Sequence, residues 1–233
     1  GGVDPAEMIR LRDRYTKTGS LLWMVPAASL RTPEAGLKRY LAVLQRLYRA
    51  VAEVSGARVI IDSSKYPTYG HLLRRLPEIE VFTLHLVRHP EAVAYSWQRR
   101  KPQPDVAGRR EMARVHPAVS TLFWTVWNLG TEALARQDRV RYRRLRYEDF
   151  AASPRGEVEN ILHFLGESAV TPFTTEHEVL LGRDHMVSGN PNRFATGPVA
   201  VRADEEWRER LAPSSRRWVR YIAGPLPARY GYR

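Results

Sequence analysis

The chain has 233 residues, 43% of them hydrophobic, which is enough to bury a core and too apolar for a disordered segment. It has no cysteine, so a disulfide framework, a cysteine-held metal and a cysteine nucleophile are excluded. Lys and Arg number 37 against 25 Asp and Glu, a net charge of +12. That charge suits a nucleic acid, an anionic membrane or a highly phosphorylated ligand, and it also arises where genomic composition favours arginine.

Asp4-Pro5-Ala6-Glu7 predicts a helix start, with Asp as cap and Pro in the first turn, running to about Tyr15. Thr32-Pro33-Glu34 predicts a second start. Leu37, Tyr40, Leu41, Leu44, Leu47, Tyr48 and Val51 then follow one helical face up to the stop at Gly56. Arg58 to Ile61 reads as a short buried strand that ends in the polar turn Asp62-Ser63-Ser64-Lys65. A short helix is expected from Tyr69 to Leu76. A strand follows from Val81 to Val87, apolar enough to be covered on both faces. Pro90-Glu91 opens a helix through about Arg100, and the arginine-rich stretch from Lys101 to Val115 reads as a surface loop. Val119 to Gln137 is expected to be helical, Arg141 to Leu145 a strand, and Pro154 to Leu165 a helix. From Val170 to Ala200 little regular structure is expected. The tail from Asp204 is mostly helical up to Pro225. Strand and helix alternate through the middle of the chain, which predicts an α/β fold with a parallel sheet and flanking helices, in one domain over 1–233.

Leu86-Val87-Arg88-His89-Pro90 places an arginine where a buried strand ends and a helix begins. The planar guanidinium, the opening amides of the helix and the hydroxyl of Ser96 within it suit an anion. Arg88 and Ser96 resemble the 3'-phosphate motif of the sulfotransferases that use 3'-phosphoadenosine-5'-phosphosulfate (PAPS), bacterial type. In those proteins the strand-end Arg and a Ser eight positions on contact that phosphate. The resemblance implies a P-loop nucleotide-kinase-like fold and transfer of a sulfonate from PAPS to a hydroxyl or an amine, with no metal required. It extends to the loop Asp62-Ser63-Ser64-Lys65, where Lys65 takes the place of the lysine that faces the sulfonate and is the catalytic candidate. It extends also to Leu145-Arg146-Tyr147-Glu148-Asp149-Phe150, where Tyr147 matches the residue near the adenine. Glu148 and Asp149 read as structural carboxylates. His185 to Phe194 resembles the late cofactor loop, with Gly189, Asn190 and Arg193 as cofactor-binding candidates.

Members of this family open with a strand and a glycine- and serine-rich phosphate loop. Thr16-Lys17-Thr18-Gly19-Ser20 has suitable residues, but no apolar strand precedes it, and it reads as a plain loop. The chain is therefore expected to start downstream of the phosphate loop and to transfer sulfonate poorly by itself. The acceptor is expected to be a small molecule, a carbohydrate or a lipid. No nucleic acid and no transmembrane segment are expected, and the location is expected to be cytoplasmic. Two other readings fit less of the sequence. A P-loop kinase needs a loop lysine and metal-holding carboxylates that find no place here. A basic nucleic-acid-binding module would use Arg139, Arg141, Arg143, Arg144 and Arg146 as one face, with few aromatic platforms among them.

Overall fold

The computed structural model describes residues 2–17, 19, 34–100, 111–168, 170–182 and 195–232. The chain divides into two compact units: Gly1–Thr83 with Trp127–Tyr142, and Leu84–Val126 with Arg143–Arg233.

The first unit opens on helix α1 (Pro5–Thr16), capped by the Asp4 carboxylate, which accepts from the Ala6 amide at 2.9 Å. Helix α2 (Ala35–Ser55) buries Leu37, Tyr40 and Leu44 of the expected face, whereas Leu47 and Val51 farther along it are exposed. It stops where expected, because Gly56 takes the left-handed conformation (φ 64°) and returns its N–H to the Ala52 carbonyl at 2.9 Å. Helix α3 (Pro67–Leu73) contributes Leu72 and Leu73. These residues close a core with Tyr15 and Leu76. Each fully buried leucine there is worth about 2 kcal/mol of transfer free energy.

The strand expected at Arg58–Ile61 is absent. Residues 59–66 carry no regular structure, and Ile61 is 90% exposed. A short apolar run becomes a strand only where a neighbour completes its ladder and its faces are covered, and among the described residues neither occurs here.

Strand β1 (Thr83–Val87) leads into the second unit and runs on to helix α4 (Pro90–Gln98), helix α5 (Pro117–Gln137) and strand β2 (Tyr142–Arg146). β1 and β2 pair as parallel strands flanked by helices, the expected fold class. The Thr83 amide donates to the Arg141 carbonyl at 2.8 Å where both strands begin. Residues just past their two ends meet as well, the His89 amide donating to Glu148 at 3.0 Å. β1 is not covered on both faces: His85 and Val87 are buried, whereas Leu84 and Leu86 are exposed.

Helices α6 (Tyr147–Ala152) and α7 (Pro154–Phe164) follow β2 directly. The stretch expected to be irregular holds an antiparallel pair, β3 (Glu178–Leu181) and β4 (Gly197–Ala200), with Leu180 opposite Pro198. A segment reading Gly-Pro-Val-Ala carries almost no strand signal of its own. It is a strand because β3 supplies the other half of the ladder. The tail is helical up to Pro225 as expected, in α8 (Trp207–Arg210) and α9 (Pro213–Ala223), and a further short helix that was not expected, α10 (Leu226–Arg229), follows Pro225. Its residues Ala223, Leu226, Tyr230 and Tyr232 bury Val87 and Trp124 in the core of this unit.

Candidate functional site

The chain leaves the sheet at Val87-Arg88-His89, and carbonyls beyond the ladder need donors from elsewhere. Trp124 supplies one, its indole Nε1–H donating to the Arg88 carbonyl at 3.0 Å. The Tyr232 hydroxyl donates to Glu148 at 2.7 Å and lies 3.1 Å from the Val87 carbonyl oxygen. Glu148 also receives the His89 amide, so this carboxylate ties the ends of β1 and β2 to the C-terminal tail and is structural in the way its sequence context suggests.

The opening of α4 differs from the expectation that its free amides face an anion. His89 caps the helix with its own side chain, Nδ1 accepting from the Glu91 amide at 3.2 Å. The Glu91 carboxylate is 6% exposed and pairs with Arg216 at 2.5 Å and Arg220 at 3.3 Å. At the helix start the Glu91 amide is thus taken up by the His89 side chain.

Arg88 is held flat. Its guanidinium carbon lies 4.4 Å from the centre of the Tyr147 ring, and Tyr147 begins α6 at the end of β2. Parallel pairing therefore brings these two sequence-predicted residues together, since parallel strands deliver their C-terminal ends to one edge of the sheet. Arg88 Nη2 donates to the Asp204 carbonyl at 3.0 Å and lies 3.2 Å from Asp204 Oδ2. Its Nε is buried and has no hydrogen-bond partner among the described residues. The Nε atoms of Arg74, Arg143 and Arg146 are left the same way, so what sets Arg88 apart is its place over Tyr147 at the sheet edge, where a planar guanidinium suits a phosphate oxygen. The donor set thus fits a phosphate.

Ser96 lies in α4 of the same unit, half-buried. Lys65 lies in the first unit, exposed, with a left-handed backbone (φ 69°). Its loop is anchored by Asp62, which accepts the Ser64 amide at 2.7 Å and also the hydroxyls of Ser64 and Tyr48. The Tyr48 hydroxyl is 2.9 Å from that of Tyr69. Gly189, Asn190, Arg193 and His185 lie outside the described residues, as do Thr18 and Ser20 of the segment Thr16 to Ser20.

Two residues at the site escaped the sequence reading. Arg99, the C-cap of α4, lies about three helical turns after Arg88 and shares the Ser96 face, so periodicity carried a signal for it. Asp204 carried none, since it is 116 residues from Arg88 and only the tertiary structure brings it there. Beside it, Ala151, Thr175, His177, Glu178 and Arg202 line a shallow depression of about 490 Å³.

His89 makes the site's integrity pH-dependent. Burial, between the stacked ring of Trp207 (4.4 Å) and that of Tyr232, holds its pKa below the ordinary 6.5. The neutral ring is required, because Nδ1 accepts the Glu91 amide. Its stabilising contribution is therefore complete above pH 6.5 and is lost as pH falls through the lower value of the folded chain. Buried His71 in the first unit shifts the same way. The melting temperature is expected to drop between about pH 7.5 and about pH 5, and the drop is expected to shrink in His89→Asn, which keeps a capping acceptor.

The structure defines an α/β protein in which a strand-end arginine rests on a strand-end tyrosine at the edge of a parallel sheet. The fold is that of a sulfotransferase domain. Over 96% of its length this chain superposes on 81% of the sulfotransferase domain from the Synechococcus PCC 7002 olefin synthase, with a TM-score of 0.59 at 22% sequence identity. A second solved structure, the sulfotransferase domain from the curacin biosynthetic pathway, is matched over 81% of this chain and 68% of its own length, with a TM-score of 0.48 at 18% identity. No protein-family model matches the sequence, and no curated protein matches it.

Proposed function

We propose that the protein transfers a sulfonate group from PAPS to a hydroxyl or amine acceptor, with Arg88 and Ser96 holding the 3'-phosphate of the donor. One observation carries this reading: Arg88 lies over the Tyr147 ring at the C-terminal edge of the parallel strands. A guanidinium locked in one plane by an aromatic face loses little further freedom when it grips a phosphate. PAPS would supply the activated sulfonate. Tyr147 would support the adenosine end, and Gly189, Asn190 and Arg193 would complete the donor pocket. Lys65 would provide the cation that stabilises negative charge on the bridging oxygen as the S–O bond breaks. The acceptor would be a small molecule, a carbohydrate or a lipid.

The arginines that suggested a nucleic-acid face support this reading, because several are already engaged. Arg141 pairs with Glu80 and Asp138, Arg143 with Glu157 and Arg146 with Asp149, while Arg144 lies over the Tyr230 ring. Among the described residues no helix is long and apolar enough to cross a membrane.

Calorimetric titration tests the proposal. Adenosine 3',5'-bisphosphate, the product left after sulfonate transfer, is expected to bind at least tenfold tighter than ATP. Equal or tighter binding of ATP would return the protein to the kinase reading.

A further inference from the structure

Arg88 and Arg99 approach one oxygen. Asp204 Oδ2 lies 3.2 Å from Arg88 Nη2 and 3.2 Å from Arg99 Nη1. The two arginines flank α4, and Ser96 lies one helical turn before Arg99. Two guanidinium groups converging on a single oxyanion form the arrangement a phosphate takes among arginines.

We infer that Arg99 is a second cation of the phosphate pocket, and that the Asp204 carboxylate occupies the position of the phosphate until the ligand displaces it. This inference rests on Arg88 being the 3'-phosphate ligand and adds to that reading a residue that sets specificity and a built-in competitor.

Charge decides the direction. Two guanidinium groups carry two positive charges, and a phosphate dianion neutralises both, whereas the aspartate neutralises one. A dianion and a carboxylate within one pocket repel, so Asp204 leaves as the phosphate enters. Residues 201–205 have no regular structure; their backbone is held by the Tyr147 hydroxyl, which donates to the Arg202 carbonyl at 3.4 Å and accepts the Asp204 amide at 3.3 Å, by Arg88 on the Asp204 carbonyl and by the Val201 amide on the His177 carbonyl, so it is the Asp204 side chain that swings away. Arg99 also has a second acidic neighbour, Glu206 at 3.8 Å, which receives the Tyr95 hydroxyl at 3.2 Å. Arg99 therefore stays oriented toward the pocket once Asp204 has withdrawn.

The test compares adenosine 3',5'-bisphosphate with adenosine 5'-monophosphate, which lacks the 3'-phosphate, by calorimetry on the whole chain. The wild-type chain is expected to prefer the bisphosphate. Arg99→Gln is expected to weaken bisphosphate binding about tenfold or more and to leave monophosphate binding within about twofold. Arg99→Lys, which keeps the charge and loses the planar fork, is expected to fall between. Asp204→Asn, close in shape and uncharged, is expected to tighten bisphosphate binding about fivefold, and this arm holds even where the Arg99 variants fold poorly. A bisphosphate preference that Arg88→Gln abolishes and Arg99→Gln leaves intact overturns the role of Arg99 alone. Weaker bisphosphate binding in Asp204→Asn overturns the displacement. No preference in the wild-type chain overturns the 3'-phosphate reading itself, and this inference with it.

Discussion

Replacing Arg88 with glutamine is expected to weaken binding of adenosine 3',5'-bisphosphate about a hundredfold. Hydrogen bonds to a charged group contribute about 1.5–3 kcal/mol each, and a fork that makes two of them is worth about 3 kcal/mol. The Arg88 side chain is 20% exposed, which limits solvent screening of these bonds. The fold should survive, since the substitution removes the ion pair to Asp204, the hydrogen bond to its carbonyl and the stack on Tyr147, together about 2 kcal/mol. The contacts that hold the strand end run through the Arg88 backbone carbonyl and through Glu148, and glutamine leaves them in place. Calorimetry for affinity and a thermal melt for stability separate the two effects. An affinity change under about threefold, with the melt unchanged, would remove Arg88 from the phosphate site.

Lys65→Gly is expected to move stability and activity in opposite directions. Lys65 is the one residue other than glycine with a positive φ among those described, at 69°. A side chain in that conformation costs about 1–2 kcal/mol, and glycine escapes the strain at an entropic cost of about 0.5–1 kcal/mol in the unfolded chain. The net expectation is a gain of about 1 kcal/mol in stability. The low rate of sulfonate transfer expected of this chain by itself should fall about a hundredfold further, the usual cost of removing a group that stabilises developing charge. Lys65→Ala keeps the strain and loses the ammonium, so it should lose activity with no gain in stability. Strain at an exposed loop residue persists only where its surroundings fix it, and here the Asp62 carboxylate holds the turn. A glycine variant that is stabilised and fully active would make Lys65 a strained residue of no catalytic consequence.

Local chemistry explains which elements were legible in the sequence. Asp4-Pro5 and Gly56 bound their helices because capping is decided within a few residues by backbone groups that lack helical partners. The strand ending at Val87 and the helix opening at Pro90 were legible for the same reason, and with them Arg88 and Ser96. The strand expected at Arg58–Ile61 and the unexpected pair β3 and β4 mark the other side of that line. Val59-Ile60-Ile61 has strong strand propensity and forms no strand. Gly197-Pro198-Val199-Ala200 has almost none and forms one, because the ladder is completed by a partner distant in sequence.

The site divides in the same way. By itself the sequence determined that an arginine ends an apolar strand ahead of a helix carrying a serine, and that a tyrosine follows a second strand. Only the tertiary structure decided that the tyrosine lies under the arginine, that the Glu91 amide at the helix start is capped by His89, and that Asp204 reaches Arg88. The physical reason is range. Helix caps and strand ends are set by neighbours along the chain. An ion pair between residues 116 positions apart exists only once the tail has folded over the end of β1.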